Sequence, residues 1–521
     1  MTWADNNRMW IHVVATAAIS LWVSATHADM PASGEFVGQS SVSIQRTSEV
    51  KRAEAYPGSP IILAAKLLGE DKPMSRDALF DDADDAPASA SAKQGGEQAE
   101  SSKAAVAKEE STKEASGLFS GLKGFVQIEL ARGIDKPSHW AKMLTRAELG
   151  AQGSMGSGIK WKMGARFDYD AVYSLFYDRY PADVVQDQKS NLVLRENYID
   201  IGAGDWDFRL GRQQVVWGEM VGVFVADVVS AQDTREFILP AFDITRIPQW
   251  AARAEYFKND FHAELLWVPV ASFNESGKPG ADFFPAPPPP PNGYNTEFRS
   301  EVWPSQSASN TNYGLRLSTL QNGWDVSGFY YRSMQASPTF YREIAAMPQT
   351  FIYEARHVPI QQLGGTVAKD LGSMVFKGEA VYTRGGQFNV QRLTDIDGVV
   401  PQNTLDWAAG LDFTFPGDAR LNLQLFQRVF FGHDADIIPD KFESGMSVLL
   451  NRKFTSRLEG EVLLLSSLNR VDWLFRPRIS WAVEKNLKFA VGADIFNGPP
   501  LGYFGRYTNQ DRVYSELRFS F

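Results

Sequence analysis

From Leu118 onward, apolar and polar residues alternate along the chain with a period of two. In Ile159 to Tyr169, the residues Ile159, Trp161, Met163, Ala165, Phe167 and Tyr169 fall on one side. Lys160, Lys162, Gly164, Arg166 and Asp168 fall on the other. A strand turns successive side chains to opposite faces, so this segment predicts one apolar and one charged wall. Leu405 to Phe415 and Leu487 to Ile495 repeat the pattern. So does the end of the chain, where Val513, Ser515, Leu517, Phe519 and Phe521 oppose Arg512, Tyr514, Glu516, Arg518 and Ser520.

The connections narrow the choice of fold. Tight turns such as Gly153-Ser154-Met155-Gly156, Gln321-Asn322-Gly323, Pro416-Gly417-Asp418 and Glu484-Lys485-Asn486 join strands in pairs. Between the pairs run longer stretches: Ala171 to Asn191, Gln214 to Ile247, Ala271 to Asn310, Ser333 to Ala355 and Arg384 to Thr404. Short turns on one rim and long loops on the other are what a membrane barrel requires. The expectation for residues 118–521 is therefore an all-β, transmembrane antiparallel β-barrel of about 18 strands, within roughly 16–20.

The segment before Leu118 has a different texture. Arg8, the apolar run Trp10 to Val23 and Thr26-His27-Ala28 read as a signal peptide over residues 1–28, and Met9 to His27 is short for a membrane-spanning helix. From Asp81 to Ser116 no aromatic residue occurs and Val106 is the one larger aliphatic, too little apolar surface to offset the entropy of ordering. Residues 29–117 thus read as a periplasmic extension, largely disordered, serving as a tether or docking a periplasmic partner.

Composition then removes alternatives. A mean hydropathy of -0.26 with 22% charged residues does not fit a helical membrane bundle, although the chain carries 34 Phe, 17 Tyr and 14 Trp. With no cysteine there can be no thiolate metal site, iron–sulfur cluster or cysteine nucleophile. A net charge of -10 gives no basic field for nucleic acid. The six His show no metal-site spacing, and no nucleophile elbow, P-loop or dinucleotide fingerprint occurs, so neither metal, cofactor nor catalysis is expected.

The most distinctive stretch runs from Arg195-Glu196-Asn197-Tyr198-Ile199-Asp200 through a short turn to Phe208-Arg209-Leu210-Gly211-Arg212-Gln213-Gln214-Val215-Val216-Trp217-Gly218-Glu219. It resembles a Gram-negative outer-membrane β-barrel family of unassigned function that carries a G-R-Q-x-V-x-W-G-E signature. The resemblance covers roughly Gly124 to Phe521, and the hairpin is loosely similar to those of substrate-selective porins. The long acidic N-terminal extension is not part of that pattern. The resemblance implies passage of hydrophobic compounds or lipids. The alternating last strand ending on Leu517, Phe519 and Phe521 resembles the signal read by the barrel-assembly machinery.

Physical reasoning adds candidates. On alternation, Arg209 and Gly211 share one face, while Arg212 shares the other with Leu210 and Phe208. A charge facing hydrocarbon costs about 2–4 kcal/mol at mid-membrane, which predicts Arg212 at the rim or turned inward. The following loop, residues 214–247, mixes Val221, Val223, Phe224, Val225, Val228, Val229, Phe237, Ile238 and Leu239 with Glu219, Asp227, Asp233, Arg235 and Glu236. A freely solvated loop has no use for so many apolar side chains, so it is expected to fold into or over the lumen. Arg195, Arg209, Arg212, Glu219, Asp227, Arg235 and Glu236 become pore-lining or constriction candidates. The plain alternative is a structural lid whose charges neutralise one another. Inward ions elsewhere, among them Arg146, Asp168, Lys377, Glu379 and Arg428, read as wall ion pairs of both signs.

The leading expectation is a channel in the outer membrane of a Gram-negative bacterium. It passes a small, hydrophobic solute passively, and contacts outer-membrane lipid and lipopolysaccharide. Two alternatives stand: an outer-membrane component of a lipid or hydrophobic-compound transport assembly, and an external receptor or adhesin using the run Pro287 to Pro291.

Overall fold

The computed structural model describes residues 121–521 apart from 157, 219 and 221–224. The expected signal peptide and extension lie outside the described residues, as does Glu219. One large sheet contains β1 (Lys123–Gly133), β2 (Trp140–Ser154), β3 (Ile159–Asp170), β4 (Ser190–Leu194 and Asn197–Ala203), β5 (Trp206–Gln213), β6 (Gln249–Lys258), β7 (Phe261–Val270), β8 (Asn312–Gln321) and β9 (Trp324–Met334). It continues through β10 (Pro359–Asp370), β11 (Met374–Asn389), β12 (Val399–Phe415), β13 (Ala419–Phe431), β14 (Phe442–Lys453), β15 (Leu458–Ser467), β16 (Trp473–Glu484), β17 (Leu487–Asn497) and β18 (Arg512–Ser520).

Both parts of β4 pair with β3, on either side of a break at Arg195-Glu196, so they count as one interrupted strand and the barrel has 18. Every neighbouring pair is antiparallel, and β18 returns to β1 from Phe125–Ser520 to Gly133–Arg512. Gly124 and Phe521 add reciprocal backbone hydrogen bonds of 2.8 and 2.9 Å at the seam. Closure leaves no open sheet edge, which is the condition for a sheet in hydrocarbon.

The expected alternation holds, with polarity inverted relative to a soluble protein. Leu149, Met163, Phe167, Leu265, Trp267, Leu363, Leu425, Ile479 and Trp481 are exposed on the outside. Lys142, Arg146, Arg166, Asp168, Glu264, Glu379, Arg476 and Arg512 are buried. An apolar outer belt around a charged interior is the arrangement acyl chains select. No helix among the described residues is long and apolar enough to cross a membrane.

Turn chemistry fixes the short rim. Asn322 and Gly323 both take positive φ (54° and 73°), the conformation whose twist matches a two-residue hairpin, and Asn-Gly is the pair that adopts it most readily. Two expected loops prove partly regular. Strands β11 and β12 run past Arg384 and Thr404 to leave only residues 390–398 between them, with a register shift between Thr383 and Gly386. Ser333 to Ala355 holds a hairpin, Thr339–Ala346 with Gln349–Arg356, joined in parallel by Asn295–Phe298.

Candidate functional site: the loop after β5 and the inner wall

The loop begins at a forced bend. Gly211 has φ +130°, and a Cβ there would lie 2.3 Å from the Asn197 carbonyl oxygen and 2.8 Å from Tyr198 Cα, so only glycine fits. Beyond it the Gln213 side chain, fully buried, donates to the Ala251 carbonyl at 2.9 Å and ties the loop's departure on β5 to its return on β6.

Trp217 follows, with 1% of its surface exposed. Its indole N–H donates to Glu264 Oε1 on β7 at 3.1 Å, and its ring meets Phe329 and Tyr331 of β9 at centroid distances of 5.0 and 5.5 Å. Gly314 of β8 makes the room, because a Cβ there would come within 2.8 Å of the Trp217 ring. Glu379 of β11 then accepts two backbone amides, one on each oxygen: Met220 N–H and Ala226 N–H, both at 2.8 Å. Two buried donors are thus met by one carboxylate from the wall.

The second half of the loop has cationic anchors. Arg476 of β16 donates to the Leu239 carbonyl at 2.8 Å while its Nε holds Asp494 at 2.7 Å. Lys142 of β2 and Arg512 of β18 hold Glu236 at 2.7 and 3.3 Å. Arg166 of β3 donates to the Ile244 carbonyl at 2.9 Å, and Arg195, at the break in β4, donates to the carbonyls of Arg246 and Asp243. Within the loop Asp227 pairs with Arg246 at 2.8 Å and Asp233 with Arg235 at 2.6 Å. Burial pushes Asp227 above the ordinary carboxylate range against the pull of Arg246. Burial acts in the same direction on Asp233, but Arg235 outweighs it and holds that carboxyl down to about 2. Glu236 is likewise lowered, burial being overcome by Lys142 and Arg512.

Apolar residues complete the contact. Val215, Trp217, Met220, Val225, Ala226, Val229 and Phe237 to Leu239 form one cluster with inner-wall residues from β6 to β17, including Leu266, Val381, Ala408, Phe426, Leu463 and Leu465. Phe237 also stacks among Tyr503, Phe504 and Tyr507 of the last long loop. Beside the loop lies a cavity of about 60 Å³, lined among others by Lys142, Arg146, Asp168, Asp233, Glu236 and Arg512. That is room for a few water molecules.

Of the sequence candidates, Arg195, Asp227, Arg235 and Glu236 belong to this assembly. Arg209 is buried in the wall, bidentate to Asp200 and over the Tyr198 ring at 3.9 Å. Arg212 lies near the loop end of β5, opposite Trp250 in register and on the face of Leu210 and Phe208. Its charged neighbours there are Arg195, one of the loop's anchors, and Glu275. Most other inward ions are paired across neighbouring strands, as Arg146–Asp168 at 2.7 Å, Lys377–Asp412 at 3.0 Å and Arg428–Asp406 at 2.6 Å. Sequence reasoning missed Trp217 and Glu264 as anchors, and took Glu379 for an ordinary wall residue. It also found no metal-site spacing, yet pairing of β6 with β7 brings Glu255, His262 and Glu264 together, with one donor atom of each within 4.8 Å of the others. The signal was His262-Ala263-Glu264, a spacing that on a strand puts both side chains on one face.

Comparison with known proteins gives three results. A family model described as "Protein of unknown function (DUF1302)" matches residues 138–435, a span that contains the Gly211 to Glu219 motif. No curated protein matches the chain. Among solved structures, OccAB1 of Acinetobacter baumannii is 8% identical over 79% of this chain and 99% of its own, with a TM-score of 0.46. OpdK of Pseudomonas aeruginosa, solved with vanillate, is 8% identical over 78% and 99%, TM-score 0.43. OmpF of Salmonella typhi, solved with daunomycin, is 9% identical over 77% and 97%, TM-score 0.39.

Proposed function

The chain belongs to the DUF1302 family, whose description assigns no activity, and from its own geometry we propose that it is an outer-membrane channel for passive passage of a small, hydrophobic solute. One observation carries the reading. A single loop touches side chains of β2, β3, β4, β7, β11, β16 and β18, strands from all around a closed barrel, which supports a segment folded into or over the lumen.

The loop then sets access. The cavity beside it is lined by both signs of charge, which favours neither anions nor cations. Its apolar side covers Val381, Ala408, Phe426, Leu463 and Leu465, a greasy inner surface unusual for a water-filled pore. A hydrophobic solute competes for that surface by replacing the loop's own side chains, so entry and loop displacement are linked. No step consumes energy. Lipid and lipopolysaccharide surround the outer belt, and the barrel-assembly machinery is the expected reader of Leu517, Phe519 and Phe521.

The test is planar-bilayer conductance of the full-length protein, with uptake of a fluorescent alkyl solute into liposomes. Small ionic steps that enlarge when Glu379 is replaced, together with solute uptake above that of empty liposomes, support the reading. Silence in both assays, with folded protein confirmed in the bilayer, refutes it.

A further inference from the structure

Glu255 on β6 and Glu264 on β7 face each other directly on the inner side of a hairpin. Like charges so placed repel, and the pair is stable only with positive charge nearby. Arg253 meets part of that need, reaching Glu255 Oε2 at 3.0 Å, and Arg316 stands opposite Glu264 in the register of β8. His262, two residues before Glu264 on the same face, brings its Nε2 to 3.2 Å from Glu255 Oε1. The three side chains converge on a point.

The imidazole is held in that pose twice over. Its ring stacks on Phe257 at a centroid distance of 4.4 Å and an interplanar angle of 9°, and Nδ1 lies 3.2 Å from Ser318 Oγ. With the Nδ1 proton donated to Ser318, Nε2 turns its lone pair toward the two carboxylates. Glu264 is steadied as well, because the Trp217 indole donates to its Oε1. Each of the three groups therefore has a partner outside the convergence point that fixes its orientation, which is how metal ligands are supported in proteins. Two carboxylates and an imidazole within ligand reach of one another are a donor set for a divalent transition metal.

We infer that Glu255, His262 and Glu264 bind a divalent transition-metal ion, of the class of zinc or cobalt, on the inner wall of the barrel. Calcium and magnesium prefer sites built from oxygen alone, and the imidazole argues against them. Arg253 and Arg316 offset part of the carboxylate charge, so binding is weaker than in a closed four-ligand structural site. No step of transport enters this argument, and the site stands or falls apart from the channel reading.

The experiment uses tag-free, full-length protein in detergent, stripped with a chelator and titrated with zinc against a colorimetric competitor and with cobalt for its visible absorption. Wild type should take up one equivalent and develop a cobalt d–d band. His262→Ala and Glu255→Gln should each weaken binding tenfold or more while keeping the heat-modifiable gel mobility of a folded barrel. Should His262→Ala fail to fold, the near-isosteric Glu264→Gln supplies the same comparison. Wild type that binds no equivalent, or folded variants that bind as well as wild type, would overturn the assignment.

Discussion

Two long-loop regions on the same rim are ordered by opposite means. The connections after β7 and β9 build their own sheet, Asn295–Phe298, Thr339–Ala346 and Gln349–Arg356, with Phe298 against Phe340 and Tyr353. Their backbone groups find one another. The loop after β5 has almost no ladder of its own: Ala231–Ile247 and Gln232–Arg246 pair, and Glu275–Ser276 joins from the neighbouring connection. Its amides and carbonyls are met by Glu379, Arg476, Arg166 and Arg195 of the wall. The first region draws most of its order from its own ladder, with a few bonds to the end of β11, whereas the second depends on particular wall charges. A segment of the second kind is suited to move.

The sharpest way to break this contrast is Glu379→Ala. It strands two buried amides, at about 1–3 kcal/mol each, so the loop loses on the order of 2–6 kcal/mol of local stability. Bilayer steps should grow and a protease added on the loop side should cut within residues 225–240, while the barrel stays folded. Unchanged steps and an intact loop would mean the wall is not what holds it. Trp217→Phe should act in the same direction with a smaller effect, about 1–3 kcal/mol, because an aromatic ring still packs on Phe329 while the bond to Glu264 and the contact with Gly314 are lost. Tyr353→Phe probes the other region. It removes a 3.1 Å bond to the Pro288 carbonyl, worth about 1 kcal/mol, and conductance should not change. If its steps enlarge as much as those of Glu379→Ala, the two regions are not independent.

The same contrast explains what was legible in the sequence. Strands could be read because the lipid face enforces alternation along its whole height, as in Ile159 to Tyr169. Where the strands rise above that belt the constraint lapses. Arg384-Gly385-Gly386-Gln387 shows no alternation and bulges at Thr383/Gly386, yet β11 continues to Asn389. The hairpin in Ser333 to Ala355 was hidden for a related reason: Phe351, Ile352 and Tyr353 are consecutive apolar residues, all buried. In the loop, the excess of Val and Phe pointed to burial, which Val225, Val229 and Phe237 show, while Val221, Val223 and Phe224 lie outside the described residues. Partners were another matter. Glu236 meets Arg512 across 276 residues and Met220 meets Glu379 across 159, and nothing local in either segment specifies the other. Gly211 was visible as a residue, but neither its +130° φ nor the close approach of Asn197 on the preceding strand was.

The smallest effect is expected from acid, and its sign discriminates. Asp233 and Glu236 both titrate below their ordinary values, Asp233 at about 2, because Arg235, Lys142 and Arg512 outweigh the cost of burial. A carboxylate lowered in the folded state contributes stability above its unfolded value, near 4, and that contribution disappears as pH falls toward the folded one. Between pH 7 and about 5 the loop should therefore hold, and bilayer steps should stay constant. Below about 4 the grip on Glu236 and within the Asp233–Arg235 pair weakens, so steps should begin to enlarge, and Asp233→Asn should bring part of that enlargement to neutral pH. The ion pairs in the sheet of Tyr353, Arg299–Glu343 and Arg356–Glu354, are largely open to solvent and contribute little, so the region after β9 should keep its protease resistance across the same range. Enlargement that begins between pH 7 and 5 would assign control to a group other than these carboxylates.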